Sequence, residues 1–484
     1  MKGIRKIFLL SILVYIIAGV FSVGNYHADE HYQILEYAGT KLGLTDGSTL
    51  SWEYQLQIRS ALQPGIAYIS TIFLNSLGIS SPFSAATFLR LLSAALSLLS
   101  IHLFLKAFID KVNPKWKSGF AMCALLLWFT VFVNVRFSSE NWAGTCFLIG
   151  ISLLQLPFGK GSLRWLCIGM IFGAAFLFRN QVGLMIFGLM LWMLFIQKDK
   201  FRHLATMCVG ILLTIGIGAV IDRWFYGSWS IPLYGYFLYQ VVLGRAATFG
   251  AEPWWFYFSN GFIQMIPPVS LLFLGAIGLV FISKPKSVLT WVAVPFIVAH
   301  LFMTHKDIRF MFPLIPLFPW FIYQAAEIMN ERWGNTLMIQ SKPIAITLML
   351  FWVINFAALA VVSLKPANNA ISLFETVYAA YTEPITLYAT ETNPYMEEYE
   401  PTFYKRKTLS LQKLESFDDV MNNPDEVKLY ITKNKEEEEI LNKSHRLVYR
   451  GLPDWVVHFN INNWVARTRF WKVYEIRSAP NAEK

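Results

Sequence analysis

Apolar runs of about spanning length recur along the chain near 7–23, 83–105, 118–135, 141–157, 164–178, 181–197, 204–221, 262–282, 288–303, 310–328 and 343–363. A bilayer core is crossed by about 20 apolar residues in a helix, so this pattern predicts a polytopic transmembrane helical bundle of about eleven spans over residues 1–364. The first run, IFLLSILVYIIAGVFSV, follows a basic start like that of a signal peptide. It lacks a small-residue cleavage site and is followed by further spans, so a retained anchor is expected. Two stretches between spans are long, 24–82 and 222–261, and neither holds an unbroken charge-free run of spanning length. Both are expected to lie along the membrane interface as outer loops. After Leu364 the pattern changes: VKLYITK, RLVYRG and FWKVYEIR read as strands and LQKLESFDDVMNN as a helix. A small soluble α/β domain over 365–484 follows, and the fold class is mainly α.

Composition agrees with a membrane reading, because 55% of the 484 residues are hydrophobic and only 15% are charged. That balance excludes disorder and most soluble enzymes. Residues 1–364 hold 25 basic against 13 acidic side chains, and 365–484 hold 16 against 18. Of those 25 basic residues, 16 fall in the loops on the N-terminal side of the spans, among them Lys2, Arg5, Lys106, Lys160, Lys198 and Lys284. The positive-inside rule then places the N-terminus in the cytoplasm and accounts for the basic excess without a nucleic-acid partner. The four cysteines, Cys123, Cys146, Cys167 and Cys208, lie within predicted spans without metal-ligand spacing and are expected to be packing residues. Glu436–Glu439 is expected to be a solvated helix face.

The face opposite the basic loops carries both signs of charge. Just beyond the first span, NYHADEHYQILEYA places Asp29 and Glu30 side by side at the bilayer surface. Acids there are functional candidates, and one could take the proton of an attacking hydroxyl as a general base. HLFMTHKDIRFMFPLIPLFPW sets His305, Lys306, Asp307 and Arg309 between two apolar spans. Such a group suits an anionic head group, since Lys and Arg neutralise phosphate and Arg binds it bidentately. Arg179 in LFRNQVG ends a span on the same face, where it could contact a phosphate or anchor the span. Arg136 and Glu140 in VRFSSENWAG could form a local ion pair, and Trp254 and Trp255 could stack on a sugar or join the interfacial aromatic belt. His27 and His31 flank the acidic pair without further ligands at helical spacing, so no metal is expected. A glycine loop for nucleotide phosphates and an Asp-x-Asp motif are both absent from the sequence, and no cofactor is expected.

The Asp-Glu pair after the first span and HKDIRF between two late spans together resemble glycosyltransferase family 22. These are the dolichyl-phosphate-mannose-dependent mannosyltransferases of glycosylphosphatidylinositol and N-glycan assembly, of the C-type membrane glycosyltransferase fold. DEHYQ matches a family pattern of Asp-Glu followed by an aromatic and Gln at Asp29, Glu30, Tyr32 and Gln33. The late signature HKEERF is matched at His305, Lys306, Arg309 and Phe310, with Asp307 conservative and Ile308 standing where an acid is usual. WEYQLQIRS, which includes Arg59, resembles a stretch of the first outer loop, and Pro253, Trp254 and Tyr257 fit a Pro-Trp-x-x-Tyr arrangement in the second. In patches, the likeness covers about residues 20–320.

That resemblance implies an inverting transfer of a hexose, mannose by preference, from a polyprenyl-phosphate donor to a hydroxyl of a lipid-linked or surface glycan. It assigns Asp29 and Glu30 to catalysis, His305, Lys306 and Arg309 to the donor phosphate, and Arg59, Trp254 and Tyr257 to the acceptor or sugar; Arg179 joins the phosphate candidates from its position at the end of a span. A lipid-linked glycan flippase or transporter, or a noncatalytic assembly component, is the competing reading. A transporter would place charges in mid-span, where Arg90 alone sits well inside a predicted span. Short cytoplasmic loops and the terminal NAEK favour a bacterial plasma membrane over the endoplasmic reticulum, with the site extracytoplasmic.

Overall fold

The computed structural model describes residues 2–157, 159–340, 342–397, 399–423, 427–452, 457–458 and 460–477. By its contacts the chain divides into two compact units. The first comprises Met1–Ser22, Leu56–Ile66 and Thr87–Lys365, and the second Val23–Gln55, Ala67–Ala86 and Pro366–Lys484. The segments 23–55 and 67–86, expected to belong with the transmembrane domain, thus cluster with the C-terminal residues.

Within the first unit, apolar helices pack around aromatic and aliphatic side chains that include Phe172, Met185, Phe273, Val292 and Phe296. Lipid would not drive helices together by the hydrophobic effect, so close backbone approach has to hold them. Gly161–Phe178 and Phe201–Tyr226 achieve it reciprocally. A Cβ on Gly169 would come within 2.2 Å of the Met207 carbonyl oxygen, and one on Gly210 within 2.3 Å of the Leu166 carbonyl oxygen. On the outside of these helices Leu212, Ile217 and Val220 are exposed, as are Leu9, Leu13 and Ile16 on Lys2–Phe21. Such faces suit lipid tails.

Among the described residues, five helices are long and apolar enough to cross a membrane, or up to seven if two bent pairs each count as one span. The expected number was eleven. The difference arises where predicted spans are short, as 141–157 and 181–197 become Ser139–Gln155 and Gly183–Phe195, of 17 and 13 residues, or interrupted: 118–135 becomes Lys117–Leu126 and Trp128–Asn134, bent by 44° at Leu127. The break leaves backbone groups without intrahelical partners, which is costly away from water. Buried Asn355 supplies them, its Oδ1 accepting from the Trp128 N–H at 3.0 Å and its Nδ2 donating to the Leu126 carbonyl at 2.8 Å. Farther along, Val269–Ser283 and Val288–Phe302 meet at 113°, and 310–317 is part of a 3-10 helix, Ile308–Leu317.

The second unit begins with a helical segment over 28–41 whose centre, His31–Leu35, is a π-helix. Its C-terminal part holds a five-stranded sheet of β1 Ile385–Ala389, β2 Leu409–Lys413, β3 Val427–Thr432, β4 Arg446–Arg450 and β5 Lys472–Arg477, in the order β2-β1-β3-β5-β4. β1 is parallel to β2 and β3, and β5 is antiparallel to β3 and β4. Tyr388, Val420, Tyr430, Leu441, Tyr474 and Ile476 form a core around it. The stretch expected as one helix is divided: LQK completes β2, and only Phe417–Met421 is helical, begun by a capping box between Ser416 and Asp419. The acidic run is a solvated helix face only in part: Glu436 and Glu439 are exposed on Lys435–Ser444, while the two between them are engaged. Glu437 accepts from the hydroxyls of Tyr430 and Thr432 at 2.7 and 2.6 Å, and Glu438 pairs with Lys472. The terminal NAEK lies outside the described residues.

Candidate functional site

In the first unit, the loop after Val288–Phe302 and the end of Gly161–Phe178 bring charges of both signs together in a buried place. Glu140, in the first turn of Ser139–Gln155, lies 2.8 Å from Arg179 and 3.4 Å from Arg309. Arg309 in turn donates from Nε to Asp307 at 3.0 Å, and Asp307 caps its own 3-10 helix by accepting from the Arg309 N–H. Both guanidiniums lie over the Phe310 ring, at 5.0 and 5.3 Å. Glu140, Arg179, Arg309 and Lys306 are all buried. Three cations against two carboxylates leave a surplus positive charge in low dielectric, an arrangement suited to an anion.

Lys306 spends two of its three N–H donors on the carbonyls of Glu252 and Met303, while the Glu252 N–H donates to the Thr304 carbonyl at 3.0 Å. This ties the second long loop to the HKDIRF segment. Tyr257, from Phe256–Gln264, is 6% exposed and feels both Asp307 and Arg179. Burial, then the Asp307 charge, pushes its phenol well above the ordinary range. The Asp307 backbone offers its hydroxyl a hydrogen bond that pulls the other way, whereas His305 Nδ1 and His300 Nε2 are buried polar atoms without a hydrogen-bond partner among the described residues. Buried polar groups are ordinarily satisfied, so two such atoms beside one charged cluster are compatible with a polar ligand.

His300 opens the HLFMTHKDIRF stretch and carries no sequence signal of its own. It lies on an apolar helix, where its type and spacing give no sign that its ring meets Tyr257 and Phe310. In sequence Glu140 has Arg136 as its near basic neighbour, whose guanidinium donates to Ser22. Its pairing with Arg179 and Arg309 depends on packing between distant helices. Arg59 stands over the Tyr236 ring at 5.1 Å, and the Tyr236 hydroxyl accepts from Gln181, two residues past Arg179. Trp254 is 61% exposed and packs against Trp255 and Phe258, in keeping with an interfacial belt.

The acidic pair lies in the second unit. Asp29 is in the first turn of the 28–41 segment, with its N–H donating to His27 Nδ1 at 3.1 Å and its carboxylate 3.6 Å from the same ring. Glu30 turns back to accept from the Tyr26 N–H at 3.3 Å. Gln33 donates to buried Glu53 at 2.6 Å, which joins DEHYQ to WEYQ, and the Tyr32 hydroxyl donates to the Tyr399 carbonyl at 2.6 Å. Glu36, fully buried, accepts four hydrogen bonds: from His31 Nε2, Thr45, Thr402 and the Phe403 N–H, at 2.8, 2.6, 2.5 and 2.9 Å. Burial alone would raise its carboxyl, but the His31 hydrogen bond and charge, with the two hydroxyls, hold it below the ordinary value. Among the described residues no group of three or more His, Cys, Asp or Glu is placed to hold a metal ion.

A family model described as the Alg9-like mannosyltransferase family matches residues 7–392. Mannosyltransferase APTG1 of Arabidopsis thaliana is 23% identical over 323 residues, covering 65% of this chain and 57% of that protein. GPI mannosyltransferase 3 of Candida albicans is 25% identical over 313 residues, covering 64% and 62%. A Schizosaccharomyces pombe protein named "Probable Dol-P-Man:Man(7)GlcNAc(2)-PP-Dol alpha-1,6-mannosyltransferase" is 34% identical over 148 residues, covering 30% and 26%. The chain spans less than two thirds of the length of each of these relatives. In fold it is similar to ArnT from Cupriavidus metallidurans, solved bound to undecaprenyl phosphate, with a TM-score of 0.55 at 12% identity over 98% of both chains. With the match covering the spans, both long loops and the two charged motifs, the chain belongs to the Alg9-like mannosyltransferase family.

Proposed function

We propose that the protein is an inverting membrane glycosyltransferase that moves a hexose, mannose by preference, from a polyprenyl-phosphate donor to a hydroxyl of a lipid-linked or surface glycan. The observation that carries this reading is the buried, net-cationic group of Arg179, Arg309 and Lys306, with His305 Nδ1 beside it unpartnered among the described residues, in a chain of a mannosyltransferase family. The lipid phosphate of the donor is its own leaving group, so fixed cations stabilise the charge that develops as the anomeric C–O bond breaks. His305 and the remaining N–H of Lys306 complete the phosphate site, and Tyr257, Arg59 and Trp254 serve the sugar or acceptor.

Asp29 takes the proton of the acceptor hydroxyl as that oxygen bonds to the anomeric carbon from the side opposite the phosphate. Configuration at that carbon inverts, and the lipid phosphate leaves with the bonding electrons. Glu30, engaged with the Tyr26 backbone, orients the acid-bearing turn. The reaction runs on the face away from the Lys/Arg-rich loops.

Asp29→Asn tests the assignment, because the amide keeps size and most hydrogen bonds but accepts no proton at neutral pH. Transfer by purified protein in detergent, from polyprenyl-phosphate mannose to a glycan acceptor, is expected to fall by roughly 10²- to 10⁴-fold with donor binding kept. Near-wild-type transfer by Asp29→Asn together with loss in Glu30→Gln would move the base one residue along. Movement of lipid across a bilayer without sugar transfer would establish the transporter instead.

A further inference from the structure

The second unit holds a partly open cavity of about 450 Å³. Its wall takes His31 and Tyr32 from the segment that carries Asp29, and Asn368, Asn369, Glu397 and Tyr404 from the C-terminal part of the chain. That volume lies within the range of small-molecule sites and suffices for more than a single water cluster.

The lining is chemically specific. Asparagine amides present donors and acceptors together, as sugar hydroxyls require. Asn369 precedes the helix Ala370–Ala380 without a side-chain capping bond, so among the described residues its amide is uncommitted. Tyr404 stacks on His31 at 5.2 Å and on Phe83 at 4.9 Å, which holds an aromatic surface rigid at the wall. Among the described residues no Lys or Arg lines the cavity. The nearby Lys405 is paired with Glu400 at 2.7 Å, whereas Glu397 is exposed and has no ion pair among the described residues. Tyr32 registers the resulting field: burial first, then the charges of Glu397, Glu36 and Glu400, push its phenol well above the ordinary range. An anion entering here would meet an uncompensated carboxylate, the reverse of the cationic group in the first unit.

We propose that this cavity seats a hydroxyl-rich, non-anionic glycosyl unit of the acceptor, held by Asn369 and the tyrosine wall, and that Glu397 excludes sugars bearing phosphate. The proposal rests on the glycosyltransferase reading above and deepens it by naming the class of acceptor. Like many specific sites it would work by repulsion as well as attraction.

Binding of two probes to the purified full-length chain in detergent tests it by titration calorimetry or saturation-transfer NMR. One is a neutral mannose disaccharide glycoside, and the other is the same disaccharide bearing one phosphate. The phosphorylated probe is expected to bind roughly tenfold more weakly, and Glu397→Gln to narrow that gap to about twofold. Asn369→Ala is expected to weaken the neutral probe severalfold. Equal or tighter binding of the phosphorylated probe overturns the proposal, as does neutral-probe binding that both variants leave unchanged. Polyprenyl-phosphate mannose binding and transfer on the same preparations separate the two readings. An active enzyme without the charge preference loses only the cavity assignment, whereas a protein that neither binds nor uses the donor loses the glycosyltransferase reading.

Discussion

Glu140 is one carboxylate facing two buried guanidiniums, and its removal leaves Arg179 and Arg309 with Asp307 as the remaining acid of the cluster. Breaking a buried pair from one side costs about 3–5 kcal/mol, so Glu140→Gln is expected to lower the melting temperature in detergent clearly. If the cluster takes the donor phosphate, polyprenyl phosphate supplies the missing negative charge and stabilises Glu140→Gln more than the wild type. Equal stabilisation of both proteins would remove the phosphate from this cluster. Arg309→Ala is expected to weaken donor binding by about 1.5–3 kcal/mol, the contribution of a charge-assisted hydrogen bond. Unchanged donor affinity in Arg309→Ala, with loss in Arg179→Ala, would assign the phosphate contact to Arg179 alone.

At the scale of one element, the π-helix His31–Leu35 sets the chemistry of the acid-bearing segment. An i to i+5 turn lets His31 meet Glu36, a pair that regular α-helical spacing places off the same face. Because the folded Glu36 carboxyl is held below its unfolded value of 4.5, its contribution to stability is complete at neutral pH. It is lost as pH falls through about 4.5 toward the folded value. Glu36→Gln is expected to destabilise at pH 7 by about 1–3 kcal/mol and to flatten the acid limb of the stability profile. A profile with the same acid limb in wild type and variant would show that another group carries it. The DEHYQ pattern showed where the acid lies, but not that Glu36, seven positions on, organises the segment. Its partners Thr402 and Phe403 are more than 360 residues away in sequence.

For the whole molecule, the Lys/Arg asymmetry predicts that 23–55 and the loop carrying Glu252 share the non-cytoplasmic face. Single cysteines at exposed Ser48 and Ala251 should react with an impermeant thiol reagent from outside sealed cells, and one at Lys200 only from the cytoplasmic side. Labelling of Ser48→Cys from the cytoplasm alone would invert the topology and remove the proposed mechanism. Long apolar runs, the two charged motifs and three of the five strands were legible because each is a local pattern of residue type. The helix breaks were not: Leu127 is an ordinary apolar residue, and the bend there is stabilised by Asn355, more than 200 positions later. Strands β1 and β2 have no such local signature because parallel pairing depends on crossover partners rather than on a turn between neighbours. Sequence alone determined that this is an apolar helical chain of the Alg9-like kind with acids and cations in separate motifs, since hydropathy and motif chemistry are written residue by residue. Only the tertiary structure decided which charges meet. Arg179, Glu140 and Arg309 share one buried place because helices far apart in the chain pack there, and a carboxylate buried at such a crossing is stable only with the partners that packing brings.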